Sequence, residues 1–155
     1  MPFVSRTIFG LVQFAARHGL AEAQADESAK EQARRTGVRG ETYAYWYLRR
    51  HGYIMVGRNY RAPDAKGEID MIGYDGPVLA FVEVKTRSGT EENPGRPEEA
   101  VTPEKRTHVE RMARRFKLER RATGTSWRFD VVAIENRPHR SPIIRLHKGA
   151  FAAGN

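Results

Sequence analysis

The sequence predicts an α/β fold in which helices pack against a mixed β-sheet. Two observations carry this expectation: the segment order helix, three strands, helix, two strands, and a change of apolar spacing along the chain from three or four residues to two. A third is size, since 155 residues that are 39% hydrophobic and 10% aromatic suffice for one core and one domain.

Taken in order, residues 1–36 read as an N-terminal arm, partly helical or mobile, ahead of a domain over 37–155. The arm holds a short amphipathic piece, Ile8 to Ala16, and then the Ala/Glu/Gln-rich stretch Ala21 to Ala25. From about Asp26 the pattern turns helical, pauses at Gly37 and resumes from Val38 to Arg50, where His51-Gly52 stops it. Alternating segments follow from Tyr53 to Tyr60, Glu68 to Tyr74 and Val78 to Thr86, the last two joined by a Tyr74-Asp75-Gly76-Pro77 turn. The stretch from Ser88 to Pro97, rich in Gly, Pro and Glu, is expected to be a loop placed to wrap a substrate backbone. Thr102-Pro103 supplies an N-cap residue with proline in the first turn, and the helix it opens reaches about Arg121. Strands from Trp127 to Glu135 and from Ile143 to His147 complete the set.

Composition narrows the function classes. With 27 Lys+Arg against 19 Asp+Glu, a net charge of +8 favours polyanionic partners, with nucleic acid first among them. The surplus is uneven: Arg106, Arg111, Arg114, Arg115, Lys117, Arg120 and Arg121 crowd one short segment. The absence of cysteine excludes disulfides, thiolate catalysis and Cys-ligated zinc or iron–sulfur sites, and accords with a cytoplasmic protein. The apolar run Ile8 to Ala16 is too short to span a bilayer, so no membrane association is expected.

Against this basic background, a few acids fall where core residues are expected. Side chains alternate along a strand, so Glu68, Asp70 and Ile72 share one face, and Phe81, Glu83 and Lys85 share one face of the next strand. Carboxylates and an ammonium gathered on a sheet face are costly to desolvate unless something binds there. On the first helix Val38, Glu41, Tyr45 and Leu48 form one stripe, which aims Glu41 at the sheet. On the second, Lys105 precedes Val109, Met112 and Phe116 on the same kind of stripe and is aimed inward too.

Several runs together resemble the YraN family of uncharacterised bacterial proteins: Gly67-Glu68-Ile69-Asp70, Phe81-Val82-Glu83-Val84-Lys85-Thr86-Arg87, Pro97-Glu98-Glu99-Ala100-Val101 leading to Lys105, Arg128-Phe129-Asp130-Val131-Val132, and His147 with Ala150-Phe151. The resemblance covers about residues 37–151. That family is similar to the PD-(D/E)xK nuclease superfamily, and within it to Holliday-junction resolvases. The resemblance implies a restriction-endonuclease-like mixed β-sheet flanked by helices. It also implies Glu41 as the helix acid, Asp70 as the strand aspartate, and Glu83 with Lys85 as the Glu-x-Lys pair. Ile69 stands where the superfamily name has proline, and a literal Pro63-Asp64 lies upstream as an alternative; Asp70 is preferred because a pleat fixes its direction and a loop does not fix that of Asp64.

The chemistry expected here is phosphodiester hydrolysis by an Mg²⁺- or Mn²⁺-dependent endonuclease. Asp70 and Glu83, with the Val84 carbonyl and water, are hard oxygen ligands of the kind such ions prefer. A bound ion polarises the phosphate and lowers the pKa of a coordinated water. Lys85 is placed to orient that water or offset charge on the phosphate, Glu41 to assist through water or a second ion, and Glu68 is a further catalytic candidate. Lys105, Arg87, Arg106 and Arg114 are the expected nucleic-acid contacts. DNA is the favoured substrate, structured or branched DNA by analogy with the resolvases, and a junction with two equivalent strands would match a two-fold homodimer. The rival reading is a non-catalytic nucleic-acid-binding module that keeps the nuclease fold and serves as a partner in DNA repair or processing. The five histidines lack metal-ligand spacing. Tyr43, Tyr45, Trp46 and Tyr47 are assigned to core and interface packing ahead of base stacking.

Overall fold

The computed structural model describes residues 2–17, 29–88, 101–137 and 139–151. The loop expected after Ser88 and the stretch Ala21 to Ala25 lie outside the described residues. The elements are α1 (Pro2–Arg17), α2 (Ala29–Arg50), β1 (Ile54–Tyr60), β2 (Ile69–Asp75), β3 (Val78–Ser88), α3 (Pro103–Glu119), β4 (Trp127–Asn136) and β5 (Ile143–Phe151).

The strands form a five-stranded mixed sheet in the order β1-β2-β3-β4-β5. Pairing is antiparallel except between β3 and β4, where α3 provides the crossover that parallel neighbours require. This is a restriction-endonuclease-like α/β architecture. Asp75 pairs with Val78 across a two-residue turn, and Gly76 there adopts φ +58, which costs glycine little and other residues more.

Period-two alternation divides the core between the two faces of the sheet. Ile72, Phe81, Phe129 and Val131 meet Val109, Met112, Ala113 and Phe116 of α3. Met71, Ala80, Val82, Val132 and Ile134 meet Tyr43, Ala44 and Leu48 of α2. α3 begins as its sequence requires, with the Thr102 hydroxyl accepting from the Lys105 N–H at 3.3 Å and proline in the first turn. α2 ends in a Schellman arrangement: Tyr53 N–H donates to Leu48 O, Gly52 N–H donates to Arg49 O, and Gly52 takes φ +90.

Three expectations are corrected. α2 runs unbroken through Gly37, because an isolated glycine weakens a helix by only about 1 kcal/mol and need not end it. Its inward stripe is Gly40, Tyr43, Ala44 and Leu48, whereas Val38 is 56% exposed. The register is set at Gly40, where an added Cβ would strike the Thr86 hydroxyl and lie 3.2 Å from Thr86 Cβ; the helix backbone therefore rests directly on β3. Finally, β5 continues past His147 to Phe151, since Gly149 at φ +64 accommodates a bulge opposite Phe129 and Val131.

α1 docks on the rest of the domain through Phe9, which is 3% exposed and packs edge-on against Tyr43 at 5.3 Å. No described helix is long and apolar enough to cross a membrane.

Candidate active site

The pairing of β2 with β3 ends at Met71 opposite Val82, while β3 continues against β4 as far as Ser88. One edge of β3 is thereby released from its antiparallel partner just where the sequence places its acids. The Val84 N–H donates to the Asp70 carboxylate at 2.7 Å, which ties the two strands where they part. Continuing the register sets Asp70 beside Glu83, two residues beyond Phe81 on the face that α3 covers.

Glu83 is buried, with 5% exposure, and is held by two ammonium groups. Lys85 Nζ lies 2.9 Å from Glu83 Oε1, and Lys105 Nζ from the first turn of α3 binds the same oxygen. The inward register of Lys105 read from the sequence thus delivers it to the acid on the sheet. A buried carboxylate tolerates desolvation only when paired, so the two lysines account for the presence of Glu83 in the core.

Asp70 has no such ammonium partner among its described hydrogen bonds. Burial, with added repulsion from the Glu83 charge, pushes its carboxyl up from 3.8 to about 7, although the Val84 N–H pulls the other way. The Lys85 ammonium is lowered by burial, but its hydrogen bond to Glu83 and the Glu83 charge outweigh this and raise it overall, so it is a fixed cation at neutral pH. Glu41 on α2 is also raised, first by burial and then by repulsion from Glu68 and Glu83, while Arg58 draws it down. Its charge in turn acts on Asp70, so α2 brings Glu41 into the electrostatic range of both strand acids.

The other expected residues are less central. Glu68 is engaged by Arg61, whose Nε and Nη2 donate to the same oxygen at 2.9 and 2.7 Å. At Val84 the amide N–H donates to Asp70, while the carbonyl expected to face a metal ion is a separate atom that this bond does not involve. Arg87 lies two residues beyond Lys85 on β3, and Arg106 and Arg114 are exposed on α3. Asp64 sits exposed in the turn before β2.

The site fits a hard divalent cation in part. Two adjacent carboxylates, one held near pH 7 by repulsion and burial, are the kind of pair a cation would relieve. Among the described residues no three His, Cys, Asp or Glu groups gather closely enough to cage an ion. Magnesium is commonly held by one or two carboxylates with water and substrate phosphate, and this donor set matches that pattern.

Sequence reasoning missed a second charged cluster toward the start of β3 and β4. Asp130, fully buried on β4, accepts from Arg128 Nε at 2.8 Å, from the Tyr53 hydroxyl at 3.1 Å and from the Gly149 N–H at 2.9 Å. Arg128 Nη2 reaches Asp75 at 2.5 Å, and Lys148 Nζ meets the same oxygen at 2.6 Å. The available signal was Arg128-x-Asp130 in an otherwise apolar strand. These bonds join β2, β4, β5 and the connection between α2 and β1, so the cluster fastens the sheet and leaves no side of the fully buried Asp130 open for a ligand.

Fold and site together define an α/β domain of the restriction-endonuclease-like class, with an acid–acid–lysine constellation at the point where β2 leaves β3. The model of the Uncharacterised protein family UPF0102 matches residues 40–134, and the chain belongs to that family, which is the YraN family. It is 42% identical over 133 residues to a UPF0102 protein of Koribacter versatilis, covering 85% of this chain and 90% of that relative. It is 44% identical over 112 residues to one from Solibacter usitatus, covering 72% and 82%. A UPF0102 protein of Symbiobacterium thermophilum is 41% identical over 121 residues, with 78% of this chain and 99% of that relative covered.

Proposed function

We propose that this protein is a divalent-metal-dependent nuclease that hydrolyses phosphodiester bonds in DNA. The observation that carries the reading is the convergence of Asp70, Glu83, Lys85 and Lys105 from β2, β3 and α3 on one partly buried spot. Oxygen ligands beside fixed cations match the needs of phosphoryl chemistry, in which the attacked phosphate and the departing oxygen both carry negative charge.

Asp70 and Glu83 would hold Mg²⁺ or Mn²⁺, which when bound supplies Lewis acidity and an activated water. Lys85 stays charged and can offset negative charge developing on the phosphate. Lys105, now paired with Glu83, would be free to turn its ammonium to a phosphate oxygen if a bound cation took over as counter-charge of that carboxylate. Glu41, whose carboxyl is raised first by burial and then by the Glu68 charge, would accept or return a proton through water. Arg87, Arg106 and Arg114 supply charge for the flanking backbone.

The test is incubation of purified protein with linear, nicked and four-way DNA, with and without Mn²⁺, beside Asp70→Asn and Lys85→Ala. The expected result is metal-dependent cutting that each substitution abolishes. Cutting that survives both would belong to a contaminant and end the catalytic reading. DNA binding by the wild-type protein with no cutting under any of these conditions would favour the non-catalytic DNA-binding module.

A further inference from the structure

The aromatic residues crowded on α2 divide into two groups. Tyr43 is buried and Tyr47 packs on Phe9 and His51, as core and interface residues should. Tyr45 and Trp46 pack only partly on the core, with their rings 5.2 Å apart at 89°. Two guanidinium groups cover them. Arg49 lies 5.8 Å from the Tyr45 ring centre and 5.4 Å from that of Trp46, and Arg58, reaching over from β1, lies 4.9 Å from Tyr45. Both arginines are themselves exposed.

Burial does not account for this surface, because two exposed guanidinium groups gather over one half-buried pair of aromatic rings and leave cationic and aromatic groups side by side at the surface. A nucleobase stacks on either kind of plane, and the guanidinium edge can hold the adjoining phosphate. In a duplex the bases are stacked on each other and out of reach, so a stacking surface serves only an unpaired strand. Its location fits the same use: Tyr45 lies one turn beyond Glu41 on α2, and Arg58 is near enough to act on the Glu41 carboxylate.

We propose that Tyr45, Trp46, Arg49 and Arg58 form a stacking surface for unpaired nucleotides, so that the preferred substrate is DNA with a single-stranded segment next to the cut strand. The location beside a cutting centre rests on the nuclease reading, whereas the binding does not.

The experiment measures anisotropy of labelled DNA in Ca²⁺ buffer, using a short single strand, the same strand with abasic sites, a duplex with an overhang and a blunt duplex. Wild-type protein is expected to bind the normal strand about tenfold more tightly than the abasic one, the size expected for a stacked base. Trp46→Leu should remove that preference and leave blunt-duplex binding unchanged, while Trp46→Phe should retain it. Equal binding of normal and abasic strands by the wild-type protein overturns the inference whether or not the variants fold. Equal weakening of every DNA by Trp46→Leu also overturns it. Cutting in Mn²⁺ is scored in parallel: cutting without base discrimination sinks this inference alone, and discrimination without cutting sinks only the nuclease.

Discussion

Asp70→Asn should make the protein more stable at neutral pH while abolishing the proposed cleavage. The folded carboxyl titrates at about 7 against an ordinary 3.8, a gap of about three units. Each unit is worth about 1.4 kcal/mol, so the ionised aspartate costs the fold at most about 4 kcal/mol. The bond from the Val84 N–H is already contained in that figure, and a neutral asparagine oxygen can accept it as the neutral carboxyl does. The expectation is therefore a stabilisation of up to about 4 kcal/mol near pH 8. The sign follows from linkage: an acid whose folded pKa is raised carries no penalty below its unfolded value, and the penalty grows as pH climbs from 3.8 to about 7. Urea denaturation of both proteins at about pH 8, 6 and 4 reads this directly, and the advantage of the variant should shrink toward acid. Added Mg²⁺ should stabilise the wild type and not the variant, because only the charged site gains from the cation. A variant less stable than the wild type at pH 8, or an advantage independent of pH, would refute the assignment of Asp70 as a buried, repelled carboxylate.

Asp130→Ala should cost about 3–5 kcal/mol in denaturation, since it strands Arg128 and the Tyr53 hydroxyl in a partly buried network, and Mg²⁺ should not restore the loss. Gly40→Ala should lower stability by about 1–3 kcal/mol because its Cβ meets the Thr86 side chain, and Thr86→Ala in the same chain should recover part of that; a thermal melt of the single and double variants decides. Arg106→Ala and Arg114→Ala should each weaken DNA binding similarly across sequences and reduce the slope of log affinity against log salt by about one, measured by anisotropy in a salt series.

Much of the site was legible in the chain because strand parity is a local property. Asp70, Glu83 and Lys85 could be assigned a face from period-two alternation alone, and Lys105 from its spacing to Val109, Met112 and Phe116. The Thr102-Pro103 start and the Gly52 stop were likewise visible, because caps depend on a few adjacent residues. Val38 misled because a helix with apolar residues around much of its circumference does not declare which stripe is inward. Gly40 decided that, by a contact with Thr86 that lies 46 residues away in sequence. The docking of α1 through Phe9 and the closure of Tyr53, Asp75, Arg128 and Lys148 around Asp130 depend on equally distant partners.

The sequence by itself determined the order and type of the elements, the sign of the surface charge and the parity that sends two acids and a lysine the same way. Each of these follows from backbone periodicity or composition, which neighbours along the chain settle. Only the tertiary structure decided that β2 parts from β3 at Asp70, that two lysines from different elements share one Glu83 oxygen, and that Asp70 is left without a cationic hydrogen-bond partner among the described contacts. Those are differences in solvation and distance between remote segments, and the balance of burial against charge exists only once the chain has closed around them.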